Sequence, residues 1–161
     1  MSDETPTLEA GMKSPGFTAI DSEGKSWNLD TLNSDGKTVI LYFYPKDDTP
    51  GCTKQACDFR DDMARLQSEG YVVFGVSKDS GASHDKFIGK YELNFPLLLD
   101  EDLSLHHSFG AWREKKNYGR TYMGTSRSTF VINPEGELVF ARYNVKASGH
   151  VAMLTKELGL D

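Results

Sequence analysis

Residues 39–44 read Val-Ile-Leu-Tyr-Phe-Tyr, a continuous apolar run with no position left over for water, so the segment is a buried strand of a core. The segment that follows, Pro45-Lys46-Asp47-Asp48-Thr49-Pro50-Gly51, carries two prolines and a glycine and cannot be helical throughout. From about Thr49 the apolar spacing becomes helical and runs to about Ser68, where Glu69-Gly70 ends it with Gly70 as the C-cap. A second buried strand, YVVFGVS at 71–77, comes next. Strand, helix, strand in this order commits the chain to an α/β arrangement.

The remaining elements extend that pattern. Short strands near 17–20 and 26–29, joined by Asp21-Ser22-Glu23-Gly24, form an N-terminal hairpin after a frayed lead-in over residues 1–15, the first ten above all. Ser83 is placed as the N-cap of a helix to about Lys90, and residues 95–99 read as a short strand entered through Pro96. A short helix over 103–109 precedes a polar segment, 112–126, which reads as a long functional loop. Strands at 128–132 and 138–143 flank Asn133-Pro134-Glu135-Gly136-Glu137, a hairpin turn, and a last helix covers 148–158. The order gives a mixed central β-sheet flanked by helices, in one domain over 1–161.

Composition limits the function classes. A net charge of −6 and the absence of a basic stripe argue against nucleic acid or an anionic membrane surface as partner. The longest apolar runs are too short to span a bilayer, and the polar, acidic start lacks the basic and apolar parts of a signal peptide. The expected location is the cytoplasm, where a cysteine pair is catalytic or metal-binding more often than structural. Zinc would need about four ligands, and His84, His106, His107 and His150 stand at no ligand spacing from the cysteines. Adjacent His106 and His107 are expected on the surface or in packing roles.

The only two cysteines, Cys52 and Cys57, lie where the strand gives way to the helix. Cys52 falls in or just before the first helical turn, where unpaired N–H groups and the helix dipole favour a thiolate. Five residues along a helix separate two Cα atoms by roughly 8 to 9 Å on different faces, beyond the reach of a disulfide, so the pair can join only if the helix opens. No Cys-x2-Cys motif is present, and neither GxGxxG nor a P-loop appears, which points to chemistry without a bound cofactor. Asp47 and Asp48 read as a solvated loop and Asp58, Asp61 and Asp62 as an exposed helix face.

The segment FYPKDDTPGCTKQACDFRD, residues 43–61, resembles the active-site signature of Q-type peroxiredoxins, the bacterioferritin comigratory protein group. Within it Pro45-x3-Thr49-x2-Cys52 matches the general peroxiredoxin motif, and the resemblance continues through 76–80, 83–87, 95–98 and 125–132. It implies a thioredoxin-like fold and a thiol-dependent peroxidase acting on hydrogen peroxide and alkyl hydroperoxides. Cys52 would be the peroxidatic cysteine and Cys57 the resolving one, the two forming an intramolecular disulfide. Thr49 would orient the peroxide, Arg127 would set a permanent cation against the sulfur, and Pro45 would shield the pocket. The implied reductant is thioredoxin or a glutaredoxin-type substitute, and relatives of this type are often monomers. The rival readings are a general thiol-disulfide oxidoreductase or redox sensor on the same fold, and an interaction domain whose thiols are inert. The five-residue spacing and Thr49 disfavour the first, and the second predicts unreactive cysteines.

Overall fold

A computed structural model describes residues 5–160. The central sheet has five strands: β3 (Thr38–Phe43), β4 (Tyr71–Ser77), β5 (Leu97–Leu99), β8 (Ser128–Ile132) and β9 (Leu138–Arg142), in the order β5-β4-β3-β8-β9. β3 pairs in parallel with β4 and antiparallel with β8, so the sheet is mixed. This is the thioredoxin-like fold, with the N-terminal hairpin β1 (Thr18–Ile20) and β2 (Ser26–Asn28) beside it.

The apolar run explains why β3 is central. Its alternate side chains feed two separate cores: Val39, Leu41 and Phe43 pack with Phe17, Leu29, Phe74, Phe109 and Phe130 on one face. Ile40, Tyr42 and Tyr44 pack on the other with α2 (Pro50–Ser68), α3 (Gly81–Tyr91) and α5 (His150–Glu157). A strand covered on both faces has no room for polar alternation. α2 lays Cys52, Ala56, Phe59, Met63 and Leu66 on the sheet at helical spacing and ends at Gly70, whose φ of +85° only glycine adopts without strain. No helix among the described residues is long and apolar enough to cross a membrane.

Several expectations are corrected. The lead-in is anchored and not frayed: Leu8 is buried and its N–H donates to the Tyr143 hydroxyl, the Gly11 N–H donates to the Leu138 carbonyl, and the Leu138 N–H donates to the Met12 carbonyl. Residues 1–4 lie outside the described residues. The polar stretch 112–126 is not a loop but a hairpin, β6 (Trp112–Asn117) and β7 (Arg120–Thr125), separate from the central sheet. Its turn residues Tyr118 and Gly119 have φ of +53° and +76°, the two left-handed positions of a tight hairpin turn. Both faces of β7 are largely exposed, so no apolar alternation marks it as a strand. A six-residue helix, α1 (Leu29–Ser34), follows β2, capped by Asn28, whose side chain accepts from the Thr31 N–H. Too short for a periodic signal, it takes Leu29 out of the expected strand.

Candidate active site at the start of helix 2

The chain leaves β3, turns through residues 45–49 and enters α2 at Pro50. Thr49 is the N-cap residue, but its hydroxyl donates 2.9 Å back to the Lys46 carbonyl and caps no helix N–H. Cys52, in the first turn, therefore sits among N–H groups that the helix cannot satisfy, at the positive end of its dipole. It is 2% exposed, and Cys57 is half-buried on the same unbroken helix; both are free thiols.

Arg127, 75 positions further along, reaches this turn from the start of β8. Its Nη2 donates to Cys52 Sγ at 3.3 Å and its Nη1 to Gln55 Oε1 at 2.6 Å. Gln55 is fully buried and lies three residues after Cys52, hence on the same helix face. Nothing in the sequence marks Gln55 as part of the site except this i, i+3 spacing from Cys52. Behind Sγ stands Tyr42, stacked on Phe59 with ring centroids 4.6 Å apart. Burial, and then negative charge on Cys52, push the Tyr42 hydroxyl well above its usual range, so it stays neutral. Lys115 Nζ donates to the Thr125 carbonyl at 2.8 Å, and burial followed by the Arg127 charge lowers its pKa. Arg127, Lys115 and Tyr42 thus all interact electrostatically with Cys52.

The turn itself is held from beneath by a residue expected in solvent. Asp47 is buried: Oδ1 accepts from the Tyr44 hydroxyl at 2.6 Å, while Oδ2 meets the Ser83 hydroxyl at 2.8 Å and His84 Nδ1 at 2.7 Å. His84 Nε2 faces the Leu98 carbonyl at 3.0 Å, and the Asp47 N–H donates to Asp79 Oδ2. A carboxylate in such a place needs this many donors to offset its lost hydration. Ser83 serves here and not as a cap; Ser80 caps α3 by accepting from the Ser83 N–H. Asp48 matches expectation, exposed and paired with Lys90 and Tyr91. Pro45 is half-buried and its carbonyl accepts from Lys78 Nζ at 3.3 Å.

The structure thus brings Arg127 and Cys52 into contact and keeps Thr49 and Pro45 on the adjoining turn. Cys57 stays five residues away along the helix, with no sulfur contact. Asp58, Asp61 and Asp62 are engaged with Lys54, Arg60 and Arg65 on the outer face of α2. His106 is fully buried and His107 exposed, which separates the packing and surface roles that the sequence had left together.

A cysteine at the N-terminus of the first long helix of a thioredoxin-like fold, facing an arginine, defines a thiol-dependent peroxidase class of oxidoreductase. Residues 10–141 match the AhpC/TSA family. The chain is 47% identical over 152 residues to the putative peroxiredoxin bcp of Coxiella burnetii, covering 94% of this chain and 99% of that one. It is 44% identical to peroxiredoxin Bcp of Bacillus subtilis, over 91% of this chain and 92% of the relative. Among solved structures, a peroxiredoxin Q mutant of Xanthomonas campestris superimposes with a TM-score of 0.85 at 36% identity, over 94% of this chain and 98% of that one. A mutant of Xylella fastidiosa PrxQ gives 0.87 at 30% identity, over 97% and 98%. The chain belongs to the AhpC/TSA family and, within it, to the Bcp/PrxQ peroxiredoxins.

Proposed function

We propose that this peroxiredoxin works through two unequal sulfurs, Cys52 as nucleophile and Cys57 as resolving thiol. The Cys52 thiolate attacks one peroxide oxygen, the O–O bond breaks, and the departing oxygen takes a proton to become water or an alcohol, leaving Cys52 as sulfenic acid. Cys57 then displaces the sulfenic hydroxyl, which leaves as water, and a Cys52–Cys57 disulfide forms. A dithiol reductant returns both thiols and becomes a disulfide itself.

The contact that supports this reading is Arg127 Nη2 on Cys52 Sγ at 3.3 Å, a permanent cation where negative charge must be held before and during attack. The Thr49 hydroxyl donates to the Lys46 carbonyl, and its oxygen keeps lone pairs that can accept the O–H of an incoming peroxide. Pro45 closes the mouth of the turn. Substrates are hydrogen peroxide and organic hydroperoxides. A structure of the Xanthomonas campestris bacterioferritin comigratory protein, 35% identical, is described in terms of its alkyl peroxide reduction activity, which favours the organic substrates here. Family membership favours thioredoxin, or a glutaredoxin-type protein, as reductant. A disulfide within one chain needs no second subunit, so we read the protein as a monomer, one domain over its 161 residues, working in the cytoplasm.

The test is thiol loss on adding one equivalent of hydrogen peroxide to the reduced protein. Rapid loss of both thiols is expected, abolished in Cys52→Ser; Cys57→Ser is expected to lose its one thiol and accumulate a trappable sulfenic acid. Peroxide consumption that persists in Cys52→Ser would refute the assignment.

A further inference from the structure

Away from the sulfur, on the opposite face of the sheet, Asp100, His106 and Thr125 form a hydrogen-bonded line. His106 Nδ1 lies 2.6 Å from Asp100 Oδ2, and its Nε2 lies 2.9 Å from Thr125 Oγ1. The Asp100 carboxylate also accepts the N–H groups of Leu105 and His106, at 2.9 and 2.8 Å, in the first turn of α4 (Ser104–Phe109). An acceptor so placed takes the Nδ1 hydrogen, and in the neutral imidazole Nε2 then accepts from the Thr125 hydroxyl.

Carboxylate, imidazole and hydroxyl in this order make the pattern of a nucleophilic triad. Here the three residues are 2%, 0% and 3% exposed, so no substrate atom can approach Oγ1. The rings of Phe43 and Trp112 close on His106 edge-on, with centroids at 5.0 and 5.8 Å. The line holds a position and attacks nothing.

What it holds is the base of the β6–β7 hairpin. Thr125 ends β7, and Arg127 follows two residues later. The same His106 accepts the Ala111 N–H on its carbonyl at 2.8 Å, and the Ala111 carbonyl accepts the Ser126 N–H at 2.7 Å, so α4 grips both ends of the hairpin. Beyond Ser126, the Arg127 carbonyl accepts the Val145 N–H at 2.9 Å. The arm above this clamp is exposed, Tyr118 at 97%, Tyr122 at 47% and Met123 at 50%. A two-stranded hairpin with so little cover is marginal on its own, and its motion would pass along the chain to Arg127. Contact between a guanidinium and a sulfur tolerates little displacement.

We propose that Asp100, His106 and Thr125 are positioning residues that set where the Arg127 guanidinium meets Cys52. This rests on the role given to Arg127 above.

Thr125→Val removes the hydroxyl at constant shape and is compared with Thr125→Ser, Arg127→Gln and the Thr125→Val/Arg127→Gln double variant. The measurement is the second-order rate of thiol loss with hydrogen peroxide, with circular dichroism to establish that each variant is folded. Thr125→Val is expected to react about tenfold more slowly. Thr125→Ser is expected within roughly twofold of the unaltered protein, and Thr125→Val is expected to add less than about twofold once Arg127 is gone. A serine variant as slow as the valine variant, an unchanged rate in Thr125→Val, or a loss that multiplies fully on the Arg127→Gln background overturns the proposal. His106→Asn, which withdraws from Thr125, takes the place of Thr125→Val if the latter does not fold. An Arg127→Gln protein that reacts at full speed would instead refute the role of Arg127 itself, a separable outcome.

Discussion

Arg127 touches Cys52 through one nitrogen, at 3.3 Å, while its other terminal nitrogen is held at 2.6 Å by Gln55, one turn further along the same helix. The cation is therefore fixed relative to the sulfur by the helix that carries the sulfur. A guanidinium suits this because its planar fork aims two N–H donors in fixed directions, whereas the donors of an ammonium sit on one freely rotating nitrogen.

Removing the charge is the direct test of that pairing. Arg127→Gln is expected to slow the reaction of reduced protein with hydrogen peroxide by about 100-fold or more, the usual loss for a donor aimed at developing charge. Arg127→Lys keeps the charge and loses the fork, and should fall in between. Stopped-flow tryptophan fluorescence or competition kinetics gives both rates.

Gln55 separates activity from stability. Its Oε1 anchors Arg127, but its Nε2 is buried without a partner. Gln55→Met, close in volume, is expected to slow peroxide reduction about tenfold through the lost charged hydrogen bond, with the melting temperature unchanged or raised because an unsatisfied amide is gone. A large fall in melting temperature with full activity would contradict this.

The two cysteines lie on one continuous helix, so disulfide formation requires the first turns of α2 to open. Hydrogen exchange should show residues 52–58 losing amide protection in the oxidised protein, and Cys57→Ser should keep it after peroxide treatment. Equal protection in the reduced and disulfide forms would rule out the unwinding.

His150 makes stability depend on pH. Burial, and then the charges of Arg127 and Arg142, lower its pKa to about 4, against an ordinary value of about 6.5 in the unfolded chain. Between those values the unfolded state binds the extra proton, so stability is full above about pH 6.5 and falls as pH drops toward 4, by at most about 3 kcal/mol from this group. Urea unfolding from pH 4 to 7 should show this slope, and His150→Gln should flatten it relative to the unaltered protein.

Gly110 stands at φ +73°, and a Cβ there would collide with the Pro6 carbonyl oxygen. Gly110→Ala is expected to displace the anchored N-terminal segment and cost about 2 kcal/mol, or roughly 4–8 °C in melting temperature, with peroxide reduction retained. Calorimetry and the peroxide assay check the two halves.

The elements that were legible in the chain share one property, an apolar pattern long enough to show a period. β3, β4, β8 and α2 all have it. β6 and β7 do not, because strands exposed on both faces carry no alternation, and α1 is too short to repeat. At the site, Cys52, Cys57, Thr49 and Pro45 stand in one contiguous motif and could be read together. Arg127 could be tied to them only through family resemblance, since a distance of 75 positions carries no geometry. The burial of Asp47 is not legible in the chain, because a polar loop residue next to Asp48 looks the same whether water or His84 and Ser83 surround it.

The sequence by itself determined the helix start under Cys52 and the five-residue interval that keeps Cys57 out of reach, because both follow from local sterics and the pitch of a helix. Tertiary structure decided which polar groups meet: Arg127 with Cys52 and Gln55, Asp47 with His84, Asp100 with His106 and Thr125. The physical reason is that apolar burial is written in composition and spacing. A buried charge or hydrogen bond needs a particular partner, and its partner is chosen by where the sheet register and the crossing helices bring distant parts of the chain together.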